Sequence, residues 1–216
     1  MIRAENIHKR YGEVEVLKGV DFEVGEGEIV SIVGASGAGK TTLLQILGTI
    51  EKPSSGNVYS GDLDLFALSD KKIASFRNKN IGFIFQFHQL LPEFTAVENI
   101  MLPALIKGES KNQAHHRAME LLGFLQLGEM ADKKPDTLSG GEQQRVAVAR
   151  ALTNSPKVVL ADEPSGNLDS KNAHELHKLF ISLRDEFKQS FVIVTHNEQL
   201  ADLADRKLTM KDGLLI

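Results

Sequence analysis

The sequence predicts an α/β fold in which helices cover both faces of a parallel β-sheet. Short apolar runs alternate with helical patterns, and each run is continuously apolar, as in strands that are buried on both faces. No repeat, low-complexity tract or linker divides the 216 residues, so a single domain is expected. The four predicted strands are EIVSIVG (28–34), NIGFIFQ (80–86), PKVVLAD (156–162) and SFVIVTH (190–196).

The other elements follow in chain order. The first 25 residues, which include VEVLKGVDFEV, are typical of half-buried strands and predict a β addition to the core. A helix, TTLLQILGTI, should follow the glycine-rich stretch at 34–41. The tail KLTMKDGLLI predicts a hairpin with Asp212-Gly213 at its turn.

A mostly helical insertion is predicted between the second and third of these strands. It would occupy residues 87–155, dividing a core made of 1–86 and 156–216. GEQQRVAVARAL (141–152) is one helix candidate. A second candidate places five apolar residues on one helical face: Ala114, Ala118, Leu121, Leu122 and Leu125.

Composition excludes several classes of protein. The formal net charge of −4 disfavours a general nucleic-acid surface, which usually carries a basic excess. The chain has no cysteine, so disulfides and thiolate metal sites are excluded. MIRAENIHKR lacks the apolar core of a signal peptide, and no run of about 18 apolar residues is present. At a membrane, the protein would therefore depend on another component to hold it there.

Gly34 to Thr41 matches the phosphate-loop pattern G-x-x-x-x-G-K-[ST] without a mismatch. The small residues of such a loop let backbone N–H groups approach phosphate oxygens, and the following helix adds its positive dipole end. Lys40 would contribute a full charge to the β- and γ-phosphates, and the hydroxyl of Thr41 suits Mg²⁺. The pattern predicts a nucleoside triphosphate site.

Two carboxylates stand at the end of the third predicted strand, where an α/β sheet gathers its ligands. Asp162 could reach Mg²⁺ directly or through water. Glu163 is the next residue, so its side chain points elsewhere, and it could polarise an attacking water. The other interpretation of this pair is an ordinary acidic strand end, but its occurrence beside a phosphate loop favours function.

The segment LSGGE (138–142) resembles the signature of ATP-binding cassette (ABC) ATPases, and the resemblance covers essentially the whole chain. Tyr11 is similar to the aromatic residue that stacks on adenine in this family, Gln86 to the Q-loop glutamine and His196 to the switch histidine. SGNLD (165–169) resembles the D-loop in place of an S-A-L-D form, and Glu142 stands where the broader family has glutamine. Neither departure removes a catalytic group.

The resemblance implies a RecA-like P-loop NTPase core with an N-terminal antiparallel β subdomain and an inserted α-helical subdomain. It also implies ATP as substrate, with Mg²⁺. The residues implied to bind nucleotide are Tyr11, Gly34, Ala35, Ser36, Gly37, Ala38, Gly39, Lys40, Thr41, Thr42, Ser139, Gly140, Gly141 and Glu142. The implied catalytic residues are Glu163, His196, Lys40 and Gln86, and the implied metal ligands are Thr41, Gln86 and Asp162.

In the family, two copies enclose two ATP molecules, each between one copy's phosphate loop and the other's signature. Ser139 and Gly140 would thus contact the partner's nucleotide. Membrane permease subunits would dock near Phe87–Phe94, placing the chain peripherally on the cytoplasmic face of the inner membrane. The apolar residues of FHQLLPEF (87–94) could instead belong to the core, but the broken helical period around Pro92 favours docking.

Within the family, QFHQLLPEFTAVEN (86–99) together with ADEPSGNLDS resembles the lipoprotein-releasing branch. The resemblance therefore implies an ATPase that powers export or lipoprotein release. An alternative is an ATP-switched regulatory module of a cell-division complex, in which nothing is transported. A kinase is disfavoured by the signature and Gln86. His174 and His177 in HELH are interpreted as a solvated helix face, since no further metal ligand is evident.

Overall fold

The computed structural model describes residues 2–216 and confirms the α/β fold. The strands are β1 (Ile2–Tyr11), β2 (Val14–Val24), β3 (Ile29–Val33), β4 (Ser55–Ser60), β5 (Leu63–Asp64), β6 (Ile81–Phe85), β7 (Val158–Asp162), β8 (Ser190–Val194), β9 (Arg206–Lys211) and β10 (Leu214–Leu215). The α-helices are α1 (Lys40–Leu47), α2 (Asp70–Asn80), α3 (Ala96–Lys107), α4 (Lys111–Phe124), α5 (Gly140–Leu152), α6 (Ser170–Phe187) and α7 (Glu198–Ala201).

The four predicted core strands lie in one sheet with the order β10-β9-β3-β8-β7-β6. The five strands from β9 to β6 in this order pair in parallel with one another. Strand β10 pairs antiparallel with β9, in the predicted hairpin. The register brings the last residues of three strands side by side, because Asp162 pairs with both Phe85 and Val194. Loops that follow these strands therefore meet at one edge of the sheet, where α/β proteins bind ligands.

Both faces of this sheet are buried, which explains the continuous apolar runs. Side chains alternate across a strand, so Val159 and Ala161 of β7 belong to one hydrophobic cluster and Val158 and Leu160 to another. The first cluster includes side chains of α3 to α6, and the second includes those of α1 and the β1–β2 hairpin. A polar residue at any of these positions would lose its hydration without gaining a partner.

The start of the chain forms the predicted β addition. A four-stranded antiparallel sheet has the order β2-β1-β4-β5. Its inward-facing residues, such as Ile7, Leu17 and Val58, are buried in the second cluster. The turn between β9 and β10 has positive φ at both Asp212 (51°) and Gly213 (85°), as the Asp-Gly pair predicts.

Three helices, α3 to α5, lie in the chain between β6 and β7, as expected for an insertion. The apolar face predicted for α4 is confirmed, since all five of its predicted residues are buried, the fifth immediately beyond the helix. Thr95, Ser110 and Ser139 cap α3, α4 and α5, each in a reciprocal capping box. Each box satisfies two of the N–H groups at its helix start, that of the cap residue and that of the third helical residue, and leaves the others free.

The interpretation of both HELH histidines as solvated was wrong for His177. His174 is exposed, but His177 is 3% exposed and its Nε2 has no hydrogen-bond partner among residues 2–216. His177 follows Ala173 by one helical turn, and Ala173 belongs to the apolar stripe with which α6 faces the core. Burial lowers the pKa of His177 and so favours the uncharged ring.

A close approach between β6 and α5 requires glycine at position 82. A Cβ there would lie 2.5 Å from the carbonyl oxygen of Ala151, which belongs to the helix backbone. We expect Gly82→Ala to destabilise the protein by about 1–3 kcal/mol, measured by urea unfolding. The matched change Gly123→Ala should stabilise it by about 0.5–1 kcal/mol, because a Cβ at this exposed position of α4 meets no atom of residues 2–216 within 4 Å. Equal effects of both changes would contradict the proposed packing.

Candidate active site

The glycine-rich segment forms a tight loop between the end of β3 and the start of α1. Gly34 has a φ of 154°, and a Cβ there would lie 2.2 Å from the backbone oxygen of Met210. Gly39 caps α1 with a φ of 106° and lies against the side chain of Leu17. These two positions exclude side chains for steric reasons, so the loop can turn sharply and present the start of a helix.

Lys40 is 9% exposed and folds back over this loop. Its Nζ donates hydrogen bonds to the backbone oxygens of Gly34, at 2.8 Å, and Ala35, at 2.9 Å. The ammonium group is thus held at the mouth of the loop by neutral acceptors alone. A phosphate at this position would offer a charged acceptor, which makes the stronger hydrogen bond.

Thr41 and Asp162 connect the phosphate loop to the end of β7. Thr41 Oγ1 donates to Asp162 Oδ1 at 3.2 Å. Burial, reinforced by the neighbouring Glu163, raises the pKa of Asp162 above its ordinary 3.8, while the hydrogen bond from Thr41 and the charge of Lys40 oppose this rise. A cation placed between these groups would relieve the cost of keeping Asp162 ionised.

The raised pKa of Asp162 has a consequence for stability. The folded chain binds this proton more tightly than the unfolded chain, so ionisation costs stability as pH rises above 3.8. We expect Asp162→Asn to unfold at a higher urea concentration than the parent at pH 7 without ligands. The difference should shrink as the pH falls towards 4. Asp62→Asn, at an exposed turn, is the control, and a pH-independent difference would contradict the assignment.

Glu163 and His196 meet at the adjoining strand ends. Glu163 has a φ of 47°, and its N–H donates to Val194 O at 2.8 Å. Nδ1 of His196 lies 2.9 Å from Glu163 Oε1, and the backbone N–H of His196 donates to Glu163 Oε2 at 3.2 Å. A non-glycine residue with positive φ is strained, and such strain concentrates at functional sites. The contact fixes the carboxylate beside a histidine that is itself 71% exposed.

Gln86 follows β6 and pairs with Asn167, a residue of the SGNLD segment to which the sequence analysis gave no individual role. Gln86 Nε2 donates to Asn167 Oδ1 at 3.2 Å, and Asn167 Nδ2 donates to the backbone oxygen of Gln86 at 3.1 Å. The two residues are 81 positions apart, so no local spacing indicates the contact. The sequence does indicate that Gln86 and Asn167 lie near the carboxyl ends of two predicted strands, which meet at the same edge of the sheet.

These groups line a common cleft of about 570 Å³ at the carboxyl ends of the strands. Its lining includes Gly34, Ser36, Gly37, Gly39, Lys40, Thr41, Thr42, Gln86, Asp162, Glu163 and His196. A larger cavity of about 730 Å³ lies near Lys157 and Ser190, at the opposite ends of β7 and β8. The first cleft is the better candidate because it joins a phosphate loop to carboxylates and a histidine.

The structure does not bring Tyr11 or residues 139–142 into the lining of this cleft. Tyr11 ends β1, half-exposed, with Nζ of Lys9 4.8 Å from its ring centre. Ser139 caps α5, and the Glu142 carboxylate accepts 2.7 Å hydrogen bonds from Ser139 N and Oγ. These bonds hold the pKa of Glu142 below its ordinary value. Its carboxylate has no proton to offer a phosphate, so its place in nucleotide binding stays a prediction.

Thr41, Gln86 and Asp162 supply hard oxygen donors, the kind that Mg²⁺ prefers. Only one of the three is a carboxylate, and residues 2–216 contain no cluster of three or more His, Asp or Glu that could hold a metal ion. Such a sparse set fits a Mg²⁺ ion that takes its remaining ligands from phosphates and water. Chemically, the cleft can hold a polyphosphate, balance its charge and place a base beside it.

The chain belongs to the ABC transporter family, whose sequence model matches residues 17–166. With this family's fold and phosphate-loop cleft, it is an ATPase that couples ATP hydrolysis to transport. Among solved structures, a dimeric post-hydrolysis form of the ATP-binding cassette MJ0796, bound to ADP and Pi, is 40% identical with a TM-score of 0.90. That alignment covers 100% of this chain and 96% of the other.

Curated relatives are similar over the full length. One is a lipoprotein-releasing system ATP-binding protein LolD from Cytophaga hutchinsonii, 59% identical over 216 residues, with 100% of this chain and 99% of the relative covered. The protein of the same name from Bacteroides thetaiotaomicron is 58% identical over 215 residues, with the same coverage. Within residues 2–216, no helix is long and apolar enough to cross a bilayer.

Proposed function

We propose that this chain is the ATP-hydrolysing subunit of a membrane complex that releases lipoproteins. The observation that carries the proposal is full-length identity of 58–59% to several relatives named for lipoprotein release. The same similarity favours this function over regulation of cell division. The chain would act peripherally, on the cytoplasmic face of the inner membrane, bound to permease subunits.

In the cleft, Lys40 and the N–H groups of residues 34–42 bind the triphosphate tail. Arrival of the phosphates draws Lys40 away from the two loop carbonyls that now hold it. Glu163 takes a proton from the attacking water, and His196, held by Glu163, stabilises the γ-phosphate. Tyr11, at the end of the antiparallel sheet, stacks on adenine with the face of its ring that Lys9 leaves free.

Thr41, Gln86 and Asp162 would hold Mg²⁺ between the phosphate loop and the ends of β6 and β7. When bound, Mg²⁺ neutralises charge on the phosphates. The Thr41–Asp162 hydrogen bond already sets two of these oxygen donors close together. Binding of a cation would favour the ionised form of Asp162, which burial disfavours.

Closure of the site requires a second copy of the chain. Ser139 and Gly140 begin α5, and the free N–H groups of such a helix start attract an anion. Because these residues lie outside the cleft of their own chain, we propose that they contact the γ-phosphate held by the partner. ATP would then favour the closed dimer, and release of the phosphate cleaved by hydrolysis would remove the contacts that hold it.

Helix α5 also offers a route from the dimer interface to the membrane partner. Arg150, near its end, donates to the backbone oxygens of His88 (2.8 Å) and Gln89 (2.7 Å). Both residues have positive φ, so the loop is held in a strained form by contacts with α5. Movement of α5 would therefore shift this loop. We propose that residues 87–155 move together in this way as a subdomain.

The proposed docking segment, Phe87–Phe94, is divided between surface and core. Phe87 is 74% exposed, while Leu90 packs against the hydrophobic core. Exposed apolar groups on a loop that is held by Arg150 suit a partner surface. Leu90 is therefore a poor position at which to test docking, because a charge there would also disturb folding.

We expect Phe87→Asp to weaken permease binding by about tenfold or more, the loss typical of a central aromatic contact. ATP affinity and urea unfolding of the isolated chain should stay unchanged. Phe187→Asp, at another exposed phenylalanine, is the matched control. Pull-down from native membranes measures the binding. Unchanged recovery of the permease with Phe87→Asp would contradict docking at this loop.

The same pull-down tests the proposed function, because the parent chain should recover two integral membrane subunits. The complex should release a lipoprotein from vesicles in an ATP-dependent manner. Recovery of a regulator of cell-wall hydrolysis, with no release of lipoprotein, would establish the cell-division alternative.

A further inference from the structure

Gln86 and Asn167 join two loops that meet at the edge of the cleft. Strands β6 and β7 are neighbours, with Phe85 paired to Asp162, so the residues that follow them lie close together. The two side chains exchange a pair of hydrogen bonds of 3.1 and 3.2 Å. Both end in an amide, and the nitrogen of an amide donates while its oxygen accepts. The role of each residue therefore depends on which end faces which partner.

One backbone atom settles the orientation of both amides. The carbonyl oxygen of Gln86 can only accept, so Asn167 must turn its Nδ2 towards it, at 3.1 Å. Asn167 Oδ1 then faces the Gln86 side chain, which must meet it with Nε2, at 3.2 Å. Oε1 is the end of the Gln86 amide that this arrangement leaves for another partner.

The free end of Gln86 is the one that a metal ion requires. Mg²⁺ binds amide oxygens and does not bind amide NH₂ groups. Gln86 lines the cleft together with Thr41 and Asp162, and its side chain also packs against Gly166, where a Cβ would lie 2.9 Å from Nε2. Without Asn167, the amide could turn and offer its nitrogen to the cleft instead.

We infer that Asn167 is a positioning residue for Gln86, which it holds with Oε1 available to the Mg²⁺ that accompanies the nucleotide. The inference rests on the proposed function, in which Gln86 is a ligand of that ion. Groups that orient a metal ligand typically change metal affinity by about 10–100-fold when they are removed. Asn167 is exposed, so its replacement should leave the fold intact.

The test measures metal affinity rather than turnover. Mn²⁺ is titrated into the full chain saturated with the non-hydrolysable nucleotide AMP-PNP, and free Mn²⁺ is followed by electron paramagnetic resonance. We expect Asn167→Leu to weaken Mn²⁺ binding by about tenfold. AMP-PNP affinity in EDTA should change by less than about twofold, because the inference assigns Asn167 to the metal alone. Asn112→Leu, on the exposed side of α4, is the matched control.

A cycle with Gln86→Ala separates positioning from other effects. Gln86→Ala should weaken Mn²⁺ binding, and adding Asn167→Leu should weaken it no further, because no amide remains to be oriented. Additive losses, or an unchanged Mn²⁺ affinity in Asn167→Leu alone, would overturn the inference and leave the role of Gln86 standing. An unchanged affinity in Gln86→Ala would overturn both.

Discussion

Glu163→Gln should slow ATP hydrolysis by about 10²–10⁴-fold, the loss typical of removing a general base. The amide keeps the shape of the carboxylate but cannot take the proton of the attacking water. ATP affinity should be retained, because we propose that the phosphate loop and Lys40 bind most of the triphosphate. Single-turnover hydrolysis, with ATP binding measured separately, distinguishes the two effects.

Glutamine at position 163 can keep the structural contacts of Glu163, so the substitution removes the base without removing those contacts. Glutamine can still accept the 3.2 Å hydrogen bond from the backbone of His196, and the N–H of residue 163 still reaches Val194 O. The positive φ of 47° strains either residue to a similar degree. Glu129→Gln, on the surface, is the control. Hydrolysis by Glu163→Gln at the parental rate would show that another group activates the water.

Lys40→Ala should weaken ATP binding by about 10–150-fold, which corresponds to a lost charged hydrogen bond of about 1.5–3 kcal/mol. The ammonium group is buried at the mouth of the loop, where its attraction to phosphate is screened less than on the surface. Calorimetric titration with ATP measures the affinity. Lys72→Ala, at an exposed position of α2, should bind ATP like the parent.

In the structure, Nζ of Lys40 donates hydrogen bonds to the carbonyl oxygens of Gly34 and Ala35. Its removal frees two backbone acceptors that water can satisfy, so we expect little change in the urea midpoint. A large loss of stability would mean that the lysine serves mainly to hold the loop. An unchanged ATP affinity would contradict the phosphate-loop assignment itself.

The parts of this site that the sequence predicts are those set by local backbone requirements. The loop at 34–41 needs glycine where φ is positive or where another backbone approaches, so its pattern can be read without any tertiary contact. The strands at 158–162 and 190–194 are recognisable because burial on both faces leaves no polar alternation. Asp162 and Glu163 follow from the strand end.

Contacts between segments that are distant in the chain were not predicted from the sequence. Asn167 meets Gln86 only because β6 and β7 are neighbours in the sheet, and the strand order is not encoded in either segment. His177 was predicted to be solvated because HELH was weighed only as a metal site or a solvated face, and its place in the apolar stripe of α6 was not considered. The division of residues 87–94 between surface and core also depends on distant contacts. Arg150 binds the backbone oxygens of His88 and Gln89, and Asn99 Nδ2 donates to the backbone oxygen of Leu91.

The proposed enclosure of ATP between two copies can be tested by the mass of the Glu163→Gln protein in solution. Sedimentation with saturating ATP and Mg²⁺ should show a dimer that holds two nucleotides, whereas the same protein with ADP should sediment as a monomer. A Glu163→Gln protein that binds ATP fully and still sediments as a monomer would contradict the account.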